Sequence, residues 1–171
     1  VTPPHDEEVC ARLSFASNLE PRLEEAKLTR LKEAIVDGIG VNPIVYKAGR
    51  YGINQHSIAS IEALGFEVDA SVNPHMDFRR IGGPSFLGFS AATARLPSDR
   101  PMIEVPCTTG FVGAGRAWGE SLHRLASGRL GTRMRAPGLL SRLGVLNRVM
   151  LSPEGNALRE MIALARALYR D

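Results

Sequence analysis

The sequence predicts an α/β domain, and three observations carry that prediction. Segments of strand-like and helix-like periodicity alternate along the chain. A strand, a helix and a second strand fall between Ile44 and Val72, the span of a compact βαβ unit whose strands should run parallel. The second of these strands has one polar face: Phe66, Val68, Ala70 and Val72 point one way and Glu67, Asp69 and Ser71 the other. A central strand of an open doubly wound sheet is covered on both faces and reads apolar, whereas a barrel strand can point polar groups into a wet mouth. The polar face therefore leans toward part of a barrel.

Leu23, Leu28, Leu31 and Ile35 form one apolar face of a helix over Asn18 to Gly38, with Pro21 in its first turn and Gly38 as its stop. Ile44 to Lys47 is short and β-branched, a strand. A helix over Asn54 to Leu64 carries Ile58, Ile61 and Leu64 on one side and closes with Gly65-Phe66. Asn73 to Pro101 is rich in glycine, proline and serine and reads as a long loop with a short strand near Phe86 to Phe89. A strand at Met102 to Thr108, a glycine-rich run, helices over Trp118 to Ala126 and Pro137 to Leu143, and a strand near Arg148 to Leu151 follow. Ser152-Pro153 then opens a helix with Leu158, Met161, Ile162, Ala165, Leu168 and Tyr169 as its apolar stripe. No repeat or boundary interrupts this order, so residues 1–171 read as one domain.

The chain is 44% hydrophobic and 23% charged, enough apolar material for a real core. It has neither a run of ~18 apolar residues nor a basic-then-apolar start, so no membrane span or secretory signal is expected. Cys10 and Cys107 lie far apart and match no ligand spacing, which points to reduced thiols and a cytoplasmic setting. Between Gly115 and Met150 stand Arg116, Arg124, Arg129, Arg133, Arg135, Arg142 and Arg148 against the single acid Glu120. The run lacks the regular aromatic interleaving of a nucleic-acid stacking platform, so a solvated surface is favoured over a nucleic-acid patch.

Candidate chemistry sits at two strand ends, Lys47-Ala48-Gly49-Arg50-Tyr51-Gly52 and Asp69-Ala70-Ser71-Val72-Asn73-Pro74-His75. Read alone, Asp69 and Arg50 can form a structural ion pair between adjacent strands, or a catalytic one. His75 can serve as ligand or acid, or as a loop histidine bonded to Asp77 or to backbone. His56 and His123 read as surface residues. The rival constellation, Gly110-Phe111-Val112-Gly113-Ala114-Gly115, follows a strand and precedes a helix as a dinucleotide loop would. Its strand contains Glu104 and Pro106, and no acid follows ~20 residues on, so a flexible connection is favoured.

Tyr46-Lys47-Ala48-Gly49-Arg50-Tyr51-Gly52 resembles the third motif of the polysaccharide deacetylase family, the NodB homology group, in its WalW-like branch. Asp69 with Ser71 and Pro74-His75 is similar to the fourth, and Gly82-Gly83-Pro84 and Ile103-Glu104-Val105-Pro106 are also similar to that branch. The resemblance implies a partial, irregular (β/α) barrel of the NodB type. It implies metal-dependent hydrolysis of a non-peptide carbon–nitrogen bond, the N-acetyl group of a sugar or polysaccharide, in cell-surface carbohydrate metabolism. On this pattern Arg50, Asp69, Lys47 and His75 are catalytic, with Arg50 or Lys47 pairing with Asp69, and Tyr51, Gly49, Ser71 and Pro74 bind substrate. The Tyr51 N–H would help stabilise the oxyanion.

The family's upstream aspartate and histidine motifs and its last strand histidine are missing from this sequence. His5, His56, His75 and His123 have no spacing that places two on one face. The resemblance therefore implies the central part of such a domain. A divalent ion, zinc or cobalt, is expected in full-length members, with none of its ligands assigned to this chain. Lys47 stands where arginine is more usual, and lysine lacks the planar two-pronged contact with a carboxylate. An incomplete barrel exposes apolar edges, so the isolated chain is expected to be marginal, self-associating as a homo-oligomer, or dependent on further segments. The alternatives are an inactive carbohydrate-binding or scaffold domain of the same fold, and a nucleotide-binding domain using the Gly113/Gly115 loop.

Overall fold

A computed structural model describes residues 3–97 and 100–170 of the chain. Helix α1 (Pro21–Ile39) starts where the Glu20 carboxylate accepts a hydrogen bond from the Leu23 N–H at 3.1 Å, and Pro21 takes the first helical position, where no donor is needed. The helix runs through Gly38, the expected stop, and ends at Gly40, whose φ of 73° is the left-handed conformation that closes a helix. Helix α2 (Gln55–Ala63) is capped reciprocally by Asn54 and Ser57, and its far end closes by the Phe66 N–H donating to the Ile61 carbonyl at 3.0 Å, as the sequence predicts.

Four two-residue strands form the main sheet: β1 (Val45–Tyr46), β2 (Val68–Asp69), β3 (Ala94–Arg95) and β4 (Ile103–Glu104). Their order is β1-β2-β4-β3, with β1, β2 and β4 parallel and β3 antiparallel to β4. The predicted parallel βαβ unit is thus present. Among the described residues the sheet is open and no barrel closes. Register aligns Val45, Val68 and Ile103 in one row and Tyr46, Asp69 and Glu104 in the next. The second row is buried, against a core that includes Leu28 of α1, Ile61 of α2, Phe66, Val72, Phe86 and Met102. Val45 and Ile103 on the first row are solvent-exposed.

The strand expected near Phe86 to Phe89 does not form. Residues 76–86 instead close on themselves, the Phe78 N–H donating to the Pro84 carbonyl at 2.9 Å and the Phe86 N–H to Met76 at 2.7 Å, which sends the Phe86 ring into the core. The extended pairing falls later, at β3.

The chain divides into two compact units. One comprises Val1–Val72, Met76–Phe86 and Ala92–Pro106; the other comprises Asn73–His75, Leu87–Ala91 and Cys107–Asp171. In the second unit β5 (Thr109–Val112) pairs antiparallel with β6 (Asn147–Met150). The glycine-rich run expected as a flexible connection therefore begins as strand, because Gly110 admits the Leu164 side chain where a Cβ would stand 2.7 Å from it. Three short helices, α3 (Gly119–Ala126), α4 (Arg129–Arg133) and α5 (Ala136–Arg142), pack on one another, and α6 (Leu158–Arg170) packs on β5 and β6. Helix α6 begins five residues after the expected Pro153. The chain turns at Gly155, and the Glu160 carboxylate accepts from the Ala157 N–H at 2.9 Å to fix the start.

Gly52 lets two backbone segments touch: a Cβ there would sit 2.7 Å from the Ala16 nitrogen and 3.0 Å from the Phe15 Cα. Gly49, three residues earlier, faces open space. Gly52→Ala is expected to destabilise by about 1–3 kcal/mol, as forced overpacking does, and Gly49→Ala by less than about 0.5 kcal/mol, as open surface positions do. Urea unfolding of both variants checks the contrast.

Candidate functional site

The parallel register of β2 and β4 sets two carboxyl groups side by side. Asp69 is fully buried and Glu104 is 7% exposed. Ser71 fixes the first of them: its hydroxyl donates to Asp69 Oδ1, its N–H donates to the same oxygen at 3.2 Å, and its Oγ accepts the Ala48 N–H at 2.8 Å. One serine thereby ties the end of β1 to the end of β2. With both acids ionised, Asp69 Oδ2 and Glu104 Oε1 are buried without a hydrogen-bond partner. A single proton satisfies both, and Glu104 holds it: burial, then the hydrogen bond to Asp69, then its charge push the Glu104 pKa up to about 9, against smaller opposing pulls from the Val72 backbone and Lys47. At neutral pH the pair is a carboxylic acid donating to its neighbour. Of the predicted polar face, Asp69 and Ser71 point into a sealed core instead of a wet mouth, and Glu67 is exposed.

The motif after β1 is a turn under backbone strain. Arg50 and Tyr51 have φ of 54° and 62°, a left-handed conformation that non-glycine side chains rarely adopt and that costs of order 1–3 kcal/mol each. This turn carries Arg50 away from Asp69. Its guanidinium lies 4.4 Å from the Phe15 ring centre and donates to the Ser14 hydroxyl, so the expected Arg50–Asp69 pair is not formed. Lys47 Nζ donates to the Ala70 carbonyl at 3.2 Å and sits 5.4 Å from the Tyr51 ring centre. The Tyr51 ring stacks on Phe78 at 5.5 Å, and its N–H, the expected oxyanion donor, donates to the Ala48 carbonyl at 3.2 Å. Gly49 opens the turn.

Beside this turn lies a cavity of about 360 Å³ whose lining includes Glu24, Lys27, Tyr46, Lys47 and Gly49. Glu24 on α1 is buried, accepts from the Ser57 hydroxyl at 2.6 Å, and has its pKa raised by burial. Lys27 pairs with Glu7 at 3.0 Å. Burial likewise raises the Tyr46 pKa far above the usual phenol range.

Pro74 and His75 belong to the second unit and are clamped there. Arg148 donates from Nε to the Pro74 carbonyl at 2.9 Å and from Nη2 to Asn73 Oδ1. The carbonyl of His75 can only accept, so His123 Nε2, 2.9 Å away, is the protonated nitrogen. The buried His75 ring packs 4.9 Å from the Phe111 ring centre, with Nε2 at 3.8 Å from the exposed Glu120 carboxylate. Its φ of 64° is again left-handed. Burial lowers the pKa of both histidines, against an upward pull from Glu120 on His75 and from the His75 carbonyl on His123. Asp77 is held by Arg79 in a two-pronged contact at 2.8 and 2.7 Å. His123, expected on the surface, is half-buried, and His56 is exposed as expected.

Among the described residues, no three His, Cys, Asp or Glu side chains converge as metal ligands. The donor set of these residues does not fit the zinc or cobalt implied by the resemblance. Sequence reasoning gave no chemical role to Glu104, which it noted as foreign to a buried apolar strand and as part of the Ile103-Glu104-Val105-Pro106 likeness. The usable signal was Ile103-Glu104-Val105: an acid on an alternating strand that pairs with a strand bearing another acid.

Ser71→Ala leaves the Ala48 N–H without its acceptor in a buried site and removes a donor from Asp69. A loss of about 1–3 kcal/mol is expected, the cost of an unsatisfied buried group, read as a lower urea midpoint. Glu104 supplies a pH dependence. Its pKa is raised on folding from the ordinary 4.5, so its full contribution is present below that value and is lost as pH rises toward about 9. Glu104→Gln keeps a donor for Asp69 and cannot ionise. At pH 8 it should melt at least about 3 °C above the parent, the shift produced by ~1 kcal/mol in a chain of this length, and the gap should close at pH 4.5 in a thermal melt.

No family model matches the chain, and no curated protein matches it. Among solved structures, it is similar to a protein of Mycobacterium smegmatis described provisionally as a polysaccharide deacetylase. The two share 23% identity and superpose with a TM-score of 0.41 over 52% of this chain and 26% of the other. The chain thus spans about a quarter of the length of that protein.

Proposed function

We propose that this chain is the central α/β part of a hydrolase of the polysaccharide deacetylase kind, WalW-like in its motifs, that removes the acetyl group from an N-acetylated sugar or polysaccharide. The ion used by such enzymes would be held by residues outside this chain. One observation carries the reading. Arg50 and Tyr51, taken from the motif as catalytic and substrate-binding residues, hold consecutive left-handed conformations, and strain of this sort persists where the surroundings impose it and clusters at functional sites. The Ser71 bridge supports that turn from the buried side by holding Ala48 beneath it. In this reading Lys47 and Arg50 present cations to the sugar, Tyr51 offers a ring face, and the Asp69–Glu104 pair positions the strand ends.

A second reading, an inactive carbohydrate-binding or scaffold domain, is favoured by one observation: the carboxyl pair is sealed from solvent, Asp69 completely. Acetate release from an N-acetylated chito-oligosaccharide by the intact protein, with added zinc or cobalt, separates the two. Arg50→Gly adopts the same φ without penalty, so stability should change by less than about 1 kcal/mol while acetate release falls at least about 100-fold, the scale of a lost positioning contact. Sugar binding without acetate release supports the scaffold reading instead. Unchanged turnover in Arg50→Gly would remove the motif from the chemistry.

A further inference from the structure

We propose that the helical surface from Trp118 to Leu143 docks onto an anionic phospholipid surface. Helices α3, α4 and α5 pack on one another, yet each leaves large apolar side chains in solvent. Leu125 and Leu130 are 78% exposed, Met134 75%, Leu143 67%, Leu139 56% and Trp118 70%. Monomeric proteins rarely leave so many large apolar groups uncovered in one stretch, and such groups rimmed by charge mark an interaction surface.

Charge decides the partner. Arg124, Arg133, Arg135 and Arg142 are exposed among these side chains. The only acid between Arg116 and Arg148 is Glu120, which faces His75 at 3.8 Å. Interleaved cations and hydrocarbon complement a surface that offers anions above hydrocarbon, as a bilayer with anionic headgroups does. A nucleic acid offers the anions but gives leucine and methionine nothing to enter, because its bases need flat aromatic partners. A second copy related by a two-fold axis would set arginines against arginines. Among the described residues no helix is long and apolar enough to cross a membrane, so these short helices would lie on the interface. Trp118, beside Arg116, is suited to the headgroup level where tryptophan gathers.

The test uses the 171-residue chain with vesicles of phosphatidylcholine alone or mixed with phosphatidylglycerol. Trp118 is the sole tryptophan, so its emission reports on this surface directly. Co-sedimentation with the mixed vesicles only, weakened by salt, is expected, together with a blue shift and quenching by brominated lipid. Replacing Arg133, Arg135 and Arg142 by Gln should weaken partitioning about fivefold each and roughly 100-fold together, following the attraction of one cation to an anionic surface. Leu130→Ser with Leu139→Ser should abolish the blue shift with an unchanged circular dichroism spectrum, since both side chains are exposed. Four results overturn the proposal: equal binding to neutral vesicles, no binding at low salt, capture of single-stranded nucleic acid without a Trp118 shift, or a Trp118 shift that follows protein concentration without lipid.

Discussion

The hydroxyl of Ser71 is the smallest group on which the first unit depends. It accepts from Ala48 beyond β1 and donates to Asp69 on β2, so the strand ends are tied by a side chain where two-residue ladders offer few backbone bonds. Holding Asp69 in that position brings its second oxygen toward Glu104 in the next strand, and the two acids can share the core only by sharing a proton. Burying Glu104 charged costs more than burying it neutral, which is why burial leads the causes of its raised pKa. The site is therefore a chain of donors running from Ala48 through Ser71 to Asp69, met from the other side by Glu104.

The buried acid of the sheet and the two buried histidines answer pH in opposite senses. Glu104 in the first unit binds its proton more tightly when folded, so its contribution declines as pH rises above the ordinary 4.5. His75 and His123 in the second bind theirs less tightly when folded, because burial disfavours the imidazolium. Their contribution is present above 6.5 and declines as pH falls below it. A group buried neutral destabilises the fold on the side of its titration where solvent would charge it. The neighbours that oppose burial, Lys47 for Glu104 and Glu120 for His75, reduce these costs without reversing them.

The sequence made some of this legible and hid the rest for identifiable reasons. Helix α2 was readable because Asn54 and Ser57 cap it chemically and Gly65-Phe66 closes it, all local effects. The polar face of β2 was readable from alternation, but alternation says which residues share a face and nothing about whether that face meets water. The direction of Arg50 was hidden because nothing in its side chain marks a φ of 54°. The strand at Thr109–Val112 was hidden by Gly110 and by the glycines that follow it, which read as a loop although Gly110 is there to admit Leu164. Pairing of Asp69 with Glu104 needed the strand order, which puts β4 beside β2 and no local rule supplies.

Strain and charge point to different parts of the molecule. Backbone held at positive φ in Arg50 and Tyr51 needs a rigid support, and the Phe15, Phe78 and Ala48 contacts supply one. Such a turn keeps its side chains in place at a cost of order 1–3 kcal/mol per residue, a cost that packing alone does not require, since glycine would meet it at Arg50. The helices of the second unit show the reverse: ordinary backbone for most of their length, with leucine, methionine and arginine left in water where leucine buried in a core would be worth about 2 kcal/mol. A strained turn presents a few groups with fixed geometry, as selection of a small ligand requires. An uncovered apolar and basic surface presents many groups with little geometry, as adhesion to a fluid interface requires, and the chain carries both.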